Sequence, residues 1–183
     1  MKFLPTPLNG AYIVELEPFR DERGFFARTF CKKEFSVIGH NKEFVQFNHS
    51  MTRQKGTVRG MHYQVPPSAE TKLIRCISGE VCDVIIDIRN DSPTFLQHLE
   101  VILSEENLRM IYVPEGFAHG FQTLAGNSQM IYHHTAYYNP ENERGLRFSD
   151  PALGIKWPLP PVNLTVKDQN YPLVNNQFKG IKI

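Results

Sequence analysis

The sequence predicts a mainly β protein, a sandwich or barrel of short strands. From Phe44 to Tyr138 the chain is a succession of β-rich runs separated by turns, with almost no room for crossover helices. Within those runs the side chains alternate, so that Val84, Ile86 and Ile88 fall on one face and Asp83, Ile85 and Asp87 on the other. The best helix candidate, residues 31–43, has Phe35 and Ile38 on an apolar face and Gly39 as a stop, and is short and peripheral.

Residues 10–17, GAYIVELE, read as a first strand, ended by Pro18 and the polar run from Arg20 to Gly24. An extended segment resumes at Phe25, Phe26 and Phe30. After the helix candidate, VQFNHSM places Gln46, Asn48 and Ser50 on one face. KGTVRGMHYQ follows and is broken by Pro66 and Pro67. TKLIRCISGEVCDVIIDIR reads as a hairpin that turns at Ser78 and Gly79. Asp91, Ser92 and Pro93 turn the chain again, LEVILS and RMIYVP flank a polar turn, and QMIYHHTAYY is the last long strand. From Asn139 onward the chain is rich in proline and reads as irregular, with Trp157 expected to pack on the outside of the β-structure.

A chain of 183 residues is long enough for one hydrophobic core, and no shift in composition marks a boundary, so residues 1–183 are expected to form a single domain. Hydrophobic residues at 41%, charged residues at 21% and a net charge of +1 leave no charge block suited to nucleic acid or a membrane surface. An anionic ligand would have to be held by individually placed cations. There is no charged leader followed by an apolar run and no span of membrane length, which makes the cytoplasm the expected location. Cys31, Cys76 and Cys82 are odd in number and lack metal-ligand spacing, so they are expected to be reduced thiols packed as small hydrophobes.

Polar residues gather between Gly56 and Lys72, GTVRGMHYQVPPSAETK, where Val58, Gly60, His62 and Gln64 share one strand face. A polar face framed by apolar neighbours suggests a lined cavity. A lone histidine is more often a surface or hydrogen-bonded core residue, and Arg23 beside Gly24 is more often solvated than an anion contact. His62 is accompanied, however, by a second motif, PEGFAH, which carries Gly116 and His119. The pair resembles the two motifs of the cupin superfamily, implying a double-stranded β-helix or jelly-roll barrel with short peripheral helices. Metal-binding cupins carry two histidines as HxH followed by a glutamate. Here Gln64 replaces the second histidine and Lys72 lies near the place of the acidic ligand. A cation there opposes metal binding, so no metal is expected.

A narrower resemblance covers roughly residues 10–172. RDERGFF, QFNHS, GTVRGMHYQ, KLIRC, GEVCDVIIDIR, SPTF, VPEGFAHGFQTL, the Tyr132 strand, DPALGIKWP and VKD follow the order and spacing of the dTDP-4-dehydrorhamnose 3,5-epimerases. The resemblance implies an enzyme without cofactor or metal that inverts C3 and C5 of a nucleotide-linked 4-keto-6-deoxyhexose. The foremost conversion is dTDP-4-dehydro-6-deoxy-D-glucose to dTDP-4-dehydro-L-rhamnose. Protons on carbons beside a ketone are weakly acidic, so such a reaction needs a base on one face, a stabiliser for the enolate oxygen and an acid on the other face. By the resemblance, His62 is the base, Asp168 orients its imidazole, Lys72 stabilises the enolate and Tyr132 returns a proton. Taken singly, each has a plainer role: packing for Tyr132, a turn for Asp168, solvation for Lys72.

The same resemblance implies substrate contacts for Arg23, Phe26, Gln46, Asn48, Arg59, His119, Tyr138, Glu143 and Lys167. Strict alternation sets Arg59 on the face opposite His62, unless Gly60 permits a bulge that redirects one of them. Arg28 departs from a family glutamate on the nucleoside side, which leaves the nucleotide open and motivates the hypothesis that the carrier is not dTDP. The resemblance further implies a homodimer with exchanged N-terminal strands that carry Arg23 and Phe26 into the neighbouring site. Three alternatives stand beside this reading: a single-centre C3 or C5 epimerase or ketoisomerase, a metal-dependent cupin oxygenase using His62, Gln64 and His119, and a non-catalytic sugar-nucleotide binder.

Overall fold

The alternating runs pair into two facing antiparallel sheets in the computed structural model, which describes residues 1–183. In chain order the strands begin with β1 (Lys2–Pro5), β2 (Tyr12–Glu15), β3 (Phe19–Asp21) and β4 (Gly24–Phe26). A single helical turn α1 (Lys32–Phe35) precedes β5 (Gln46–Thr52), β6 (Val58–Gln64), β7 (Lys72–Ser78), β8 (Glu80–Asp87) and β9 (His98–Ser104). Then come β10 (Arg109–Val113), β11 (Phe117–Thr123), β12 (Ser128–His134), β13 (Glu143–Gly145) and α2 (Val166–Asn170). One sheet runs β1-β2-β10-β7-β12-β5 and the other β13-β6-β11-β8-β9, while β3 and β4 pair only with each other. This is the expected mainly β, cupin-type barrel with short peripheral helices.

The expected hairpin across Ser78 and Gly79 does not form. β7 pairs with β10 and β12, whereas β8 pairs with β9 and β11, so the chain crosses from one sheet to the other at this turn. Gly79 adopts φ +74°, and a Cβ there would meet Ser128 Oγ at 2.6 Å. The glycine is needed for close approach of β12, a constraint that looks the same in sequence as a hairpin turn. The helix expected over 31–43 shrinks to α1 and a 3₁₀ turn at Ser36–Ile38, closed by Gly39 at φ +80°. Only Phe35 of its apolar residues is fully buried, and Val37 is 81% exposed, so nothing rewards a longer amphipathic face. The sequence pattern does not mark β1, β11 and β13 as strands or α2 as a helix, and it reads a turn where Phe19–Asp21 forms β3. Every residue of β11 is buried, so both of its faces are covered and the alternation that betrays a strand is missing.

The core lies in three places. Between the sheets, Ile74, Cys76, Ile85, Leu103, Ile111 and Met130 close the barrel interior away from the polar end. The outer face of the second sheet, with Met61, Val84, Ile86 and Ile88, is covered by the chain after Gly145, including Trp157, whose Nε1 donates to Phe148 O at 2.8 Å. Asp83, Ile85 and Asp87 do point the other way from these, as the alternation requires. The outer face of the first sheet packs Val14, Leu73 and Met110 against Phe35. The three cysteines are free thiols, and burial pushes Cys76 up to about 11 and Cys82 up to about 12, in keeping with a packing role.

His40 sits in that last cluster, 3% exposed, stacked on Phe44 and with Nδ1 3.2 Å from the Tyr112 hydroxyl. Its Nε2 has no partner, and burial lowers its pKa. The unfolded chain therefore takes up a proton at His40 more readily than the folded one. The contribution of the neutral ring is fully present above the unfolded value of 6.5 and is lost as the pH falls from there toward the folded pKa. Melting temperatures between pH 7 and 5 are expected to fall in the parent protein and to fall less in His40→Phe, which cannot charge.

Candidate active site

The polar ends of both sheets line a cavity of about 270 Å³. The first sheet supplies Asn48 and Ser50 from β5, Lys72 from β7, and Tyr132 and His134 from β12; the second supplies Arg59, His62 and Gln64 from β6, His119 and Phe121 from β11, and Glu143 from β13. Arg59 and His62 share this wall because the pairing of β6 with β11 slips by one residue. His119 opposes His62, yet Phe121 opposes Arg59, so three steps on β6 match two on β11. Gly60 lies in the bulge at φ +128°, and a Cβ on it would meet Gly120 Cα at 2.5 Å. The bulge anticipated at Gly60 is thus the device that turns Arg59 inward.

His62 is held from behind. Its Nε2 lies 2.6 Å from Asp168 Oδ1, with the carboxylate side chain 3% exposed and the imidazole 34% exposed to the cavity. Asp168 stands in the first turn of α2, where Thr165 caps the helix and accepts the Asp168 N–H at 3.0 Å. Burial alone would raise the Asp168 carboxyl, but the bond and charge of His62, with Thr165, hold it below the usual range. An ionised carboxylate only accepts, so Nε2 carries the proton and Nδ1 keeps its lone pair. Tyr171 packs edge-on to the imidazole, ring centroids 5.7 Å apart, over Gly145, where any Cβ would lie 2.4 Å from the tyrosine ring.

The opposite wall is different in kind. The Tyr132 hydroxyl lies 3.2 Å from Ser50 Oγ, and its ring lies against His119 and stacks on His134. One side of the residue borders the cavity, but desolvation of the phenol raises its pKa well above the ordinary tyrosine value, which keeps it protonated. Lys72 is buried, with Nζ 3.3 Å from Glu70 Oε1. His119 is buried on Asp83 at 2.8 Å. At the rim, Glu143 accepts from the Tyr138 hydroxyl at 2.7 Å and from Lys167 Nζ at 2.5 Å. Burial would raise Glu143, but Lys167 and then Tyr138 bring it below its ordinary value.

No group of three or more His, Cys, Asp or Glu side chains converges as a metal site. The three residues of the oxygenase alternative are engaged elsewhere: the Nε2 atoms of His62 and His119 bond to carboxylates. Gln64 accepts from Asn139 N at 2.7 Å and donates to Ser68 O at 3.1 Å.

A family model described as dTDP-4-dehydrorhamnose 3,5-epimerase matches residues 5–176. The chain belongs to the dTDP-4-dehydrorhamnose 3,5-epimerase family. It is therefore an enzyme of the sugar-nucleotide epimerase type. It is 44% identical over 171 residues to the dTDP-4-dehydrorhamnose 3,5-epimerase of Shigella flexneri, covering 93% of this chain and 94% of that one. The Legionella pneumophila dTDP-6-deoxy-D-glucose-3,5-epimerase, solved with dTDP-4-keto-L-rhamnose, is 40% identical with a TM-score of 0.92, over 100% of this chain and 98% of that one. A 3'-monoepimerase from Streptomyces bikiniensis, solved with dTDP-quinovose, is 30% identical with a TM-score of 0.86, over 92% of this chain and 86% of that one.

Of the residues singled out in this epimerase sequence, His62, Lys72, Tyr132, Asn48, Arg59, His119, Tyr138 and Glu143 line the cavity. Asp168 stands behind His62, Lys167 pairs with Glu143, and Gln46 bonds to Asn48 and to the Tyr138 backbone. Arg23 and Phe26 do not reach this cavity: they flank a separate hollow on the β3–β4 hairpin, with the Arg23 side chain 85% exposed. Arg28 is also outside it, ion-paired with Glu34 at 2.6 Å. Sequence reasoning missed Ser50, Glu70, Asp83 and His134 as site residues. A period of two would have placed His134 beside Tyr132 and Glu70 beside Lys72, on the same faces.

Proposed function

We propose that this enzyme inverts C3 and C5 of dTDP-4-dehydro-6-deoxy-D-glucose through the side chains of this one cavity. The observation that carries the reading is a carboxylate-backed histidine on one wall facing a desolvated, protonated tyrosine on the other, with the buried Lys72 ammonium on the neighbouring strand of the tyrosine wall. His62 Nδ1 takes the proton from the carbon beside the ketone, and the electron pair of that C–H bond moves to the C4 oxygen as an enolate. Lys72 stabilises that oxygen, where a fixed cation acts more strongly than in water. The Tyr132 phenol delivers a proton to the opposite face, which restores the ketone with the centre inverted. The imidazolium, stabilised meanwhile by Asp168, returns its proton to solvent, from which the tyrosine is recharged. Arg59, which has no carboxylate partner, and Lys167 and Tyr138 at the rim are suited to the diphosphate and base.

Proton NMR of the substrate in deuterated water tests this: deuterium entering at both C3 and C5 is the expected result, and no exchange at either overturns it. Likeness to a 3'-monoepimerase favours a second reading, inversion at one centre, for which the same spectrum would show exchange at C3 alone. The relatives solved with dTDP-linked sugars support dTDP as the carrier, against the alternative raised by Arg28. Competition among dTDP, UDP, CDP and GDP decides between them. A homodimer with exchanged hairpins is part of the proposal: β3 and β4 pair with no sheet of their own chain, Phe19 and Phe26 are 79% and 72% exposed, and β5 ends its sheet unpaired. A monomer in light scattering would remove it.

A further inference from the structure

Along the tyrosine wall a chain of hydrogen bonds runs from the backbone of Tyr138 to the ammonium of Lys72, and its direction is fixed at both ends. The Tyr138 N–H donates to Gln46 Oε1 at 2.9 Å, Gln46 Nε2 to Asn48 Oδ1 at 3.2 Å, and Asn48 Nδ2 lies 3.2 Å from His134 Nε2. His134 Nδ1 lies 2.7 Å from Glu70 Oε2, and Lys72 Nζ lies 3.3 Å from Glu70 Oε1. Backbone N–H and ammonium can only donate. Every group between them then has one consistent role: Glu70 ionised and accepting from both neighbours, His134 neutral with its proton on Nδ1, and both amides with oxygen turned toward Tyr138. Glu70 suits its part, because Lys72 and then His134 bring its carboxyl below the ordinary value that burial alone would raise.

We propose that Glu70 and His134 are positioning residues that form a proton-sensitive lock, fixing Lys72 at one end and the amides of Asn48 and Gln46 at the other. The proposal rests on reading those three residues as substrate contacts. A proton added to His134 turns Nε2 into a donor aimed at the Asn48 NH₂. Asn48 must then flip, which sets its NH₂ against Gln46 Nε2, and a flipped Gln46 no longer accepts from Tyr138. One proton thus disorders the binding side of the cavity without touching His62. The ionisable groups around His134 are Glu70 and Lys72 on and before β7, and Tyr132 and His133 on its own strand. β5 presents only neutral amides to it, and Arg59, His62, Tyr63, His119, Tyr138 and Glu143 border the same cavity.

Two measurements test the lock. In protein labelled with ¹⁵N-histidine, His134, assigned by loss of its signals in His134→Gln, is expected as the Nδ1–H tautomer at pH 7.5; the Nε2–H tautomer or an imidazolium overturns the proposal, and no ligand is needed. Binding of dTDP-glucose, an unreactive analogue without the ketone, is expected to weaken about five- to tenfold from pH 7.5 to 5.5 in the parent protein. In His134→Gln, whose amide cannot take up that proton, the ratio of the two dissociation constants should be smaller than in the parent protein, whatever their absolute values. Since His62 is common to both proteins, equal ratios would overturn the lock. A purely structural role for His134 would change the melting temperature but not this ratio. If the analogue binds and the keto-sugar shows no exchange at C3 or C5, the epimerase reading fails while the tautomer and the pH ratio still decide the lock.

Discussion

His62→Ala is expected to abolish deuterium uptake at both C3 and C5, with turnover lowered by about 10²- to 10⁴-fold, the usual contribution of a positioned general base. Asp168 occupies Nε2 at 2.6 Å, so the only basic atom His62 can present is Nδ1, and a third of the ring faces the cavity, whereas His119, the other imidazole on that wall, is buried on Asp83. Folding should survive, since the imidazole is only half-buried. The loss of its partner leaves the buried Asp168 carboxylate under-bonded, at a cost of about 1–3 kcal/mol. His62 helps hold that carboxyl below its ordinary value, so the pair stabilises the fold above the unfolded value of 3.8 and ceases to do so as the pH falls through the folded pKa. The melting difference between parent and variant is therefore expected near neutral pH and should shrink in strong acid. Exchange in His62→Ala at the parent rate at either carbon would assign the base elsewhere, and His119 would be the first residue to test.

The legible parts of this chain were those governed by local rules. Alternation in residues 81–88 placed Val84, Ile86 and Ile88 on one face and Asp83 on the other, because a period of two holds wherever a strand separates two environments. Gly60 was legible as a bulge since Arg59 and His62 could not otherwise share a wall. What was not legible depends on partners distant in sequence. Whether a turn at Gly79 makes a hairpin or crosses between sheets is decided by β10 and β12, and the turn itself carries no trace of the choice. The stretch containing Asp168 read as irregular because α2 is one turn long, and its value lies in a contact 106 residues away. The Glu70–His134 pair escaped for the same reason: each residue is ordinary alone, and only the pairing of β12 with β7 sets His134 opposite Lys72.

Tyr132→Phe separates removal of the proton from its return. The phenol borders the cavity from the first sheet while His62 enters from the second, and desolvation keeps its proton on at any pH where the enzyme would work. Without the hydroxyl, His62 can still form the enolate over Lys72 and hand a proton back to the face it came from. Deuterium is therefore expected to enter from solvent through the imidazole with retention of configuration, while inverted product falls by about 10²-fold or more. The ring remains to stack on His134 and to pack on His119, and the hydroxyl surrenders a single bond to Ser50 at 3.2 Å, so stability should change by only about 1 kcal/mol. Inversion at the parent rate would show that Ser50 or a water supplies the second proton. Loss of exchange along with inversion would mean that the hydroxyl is needed to form the enolate, placing Tyr132 beside Lys72 in charge stabilisation and leaving the second face without an assigned acid.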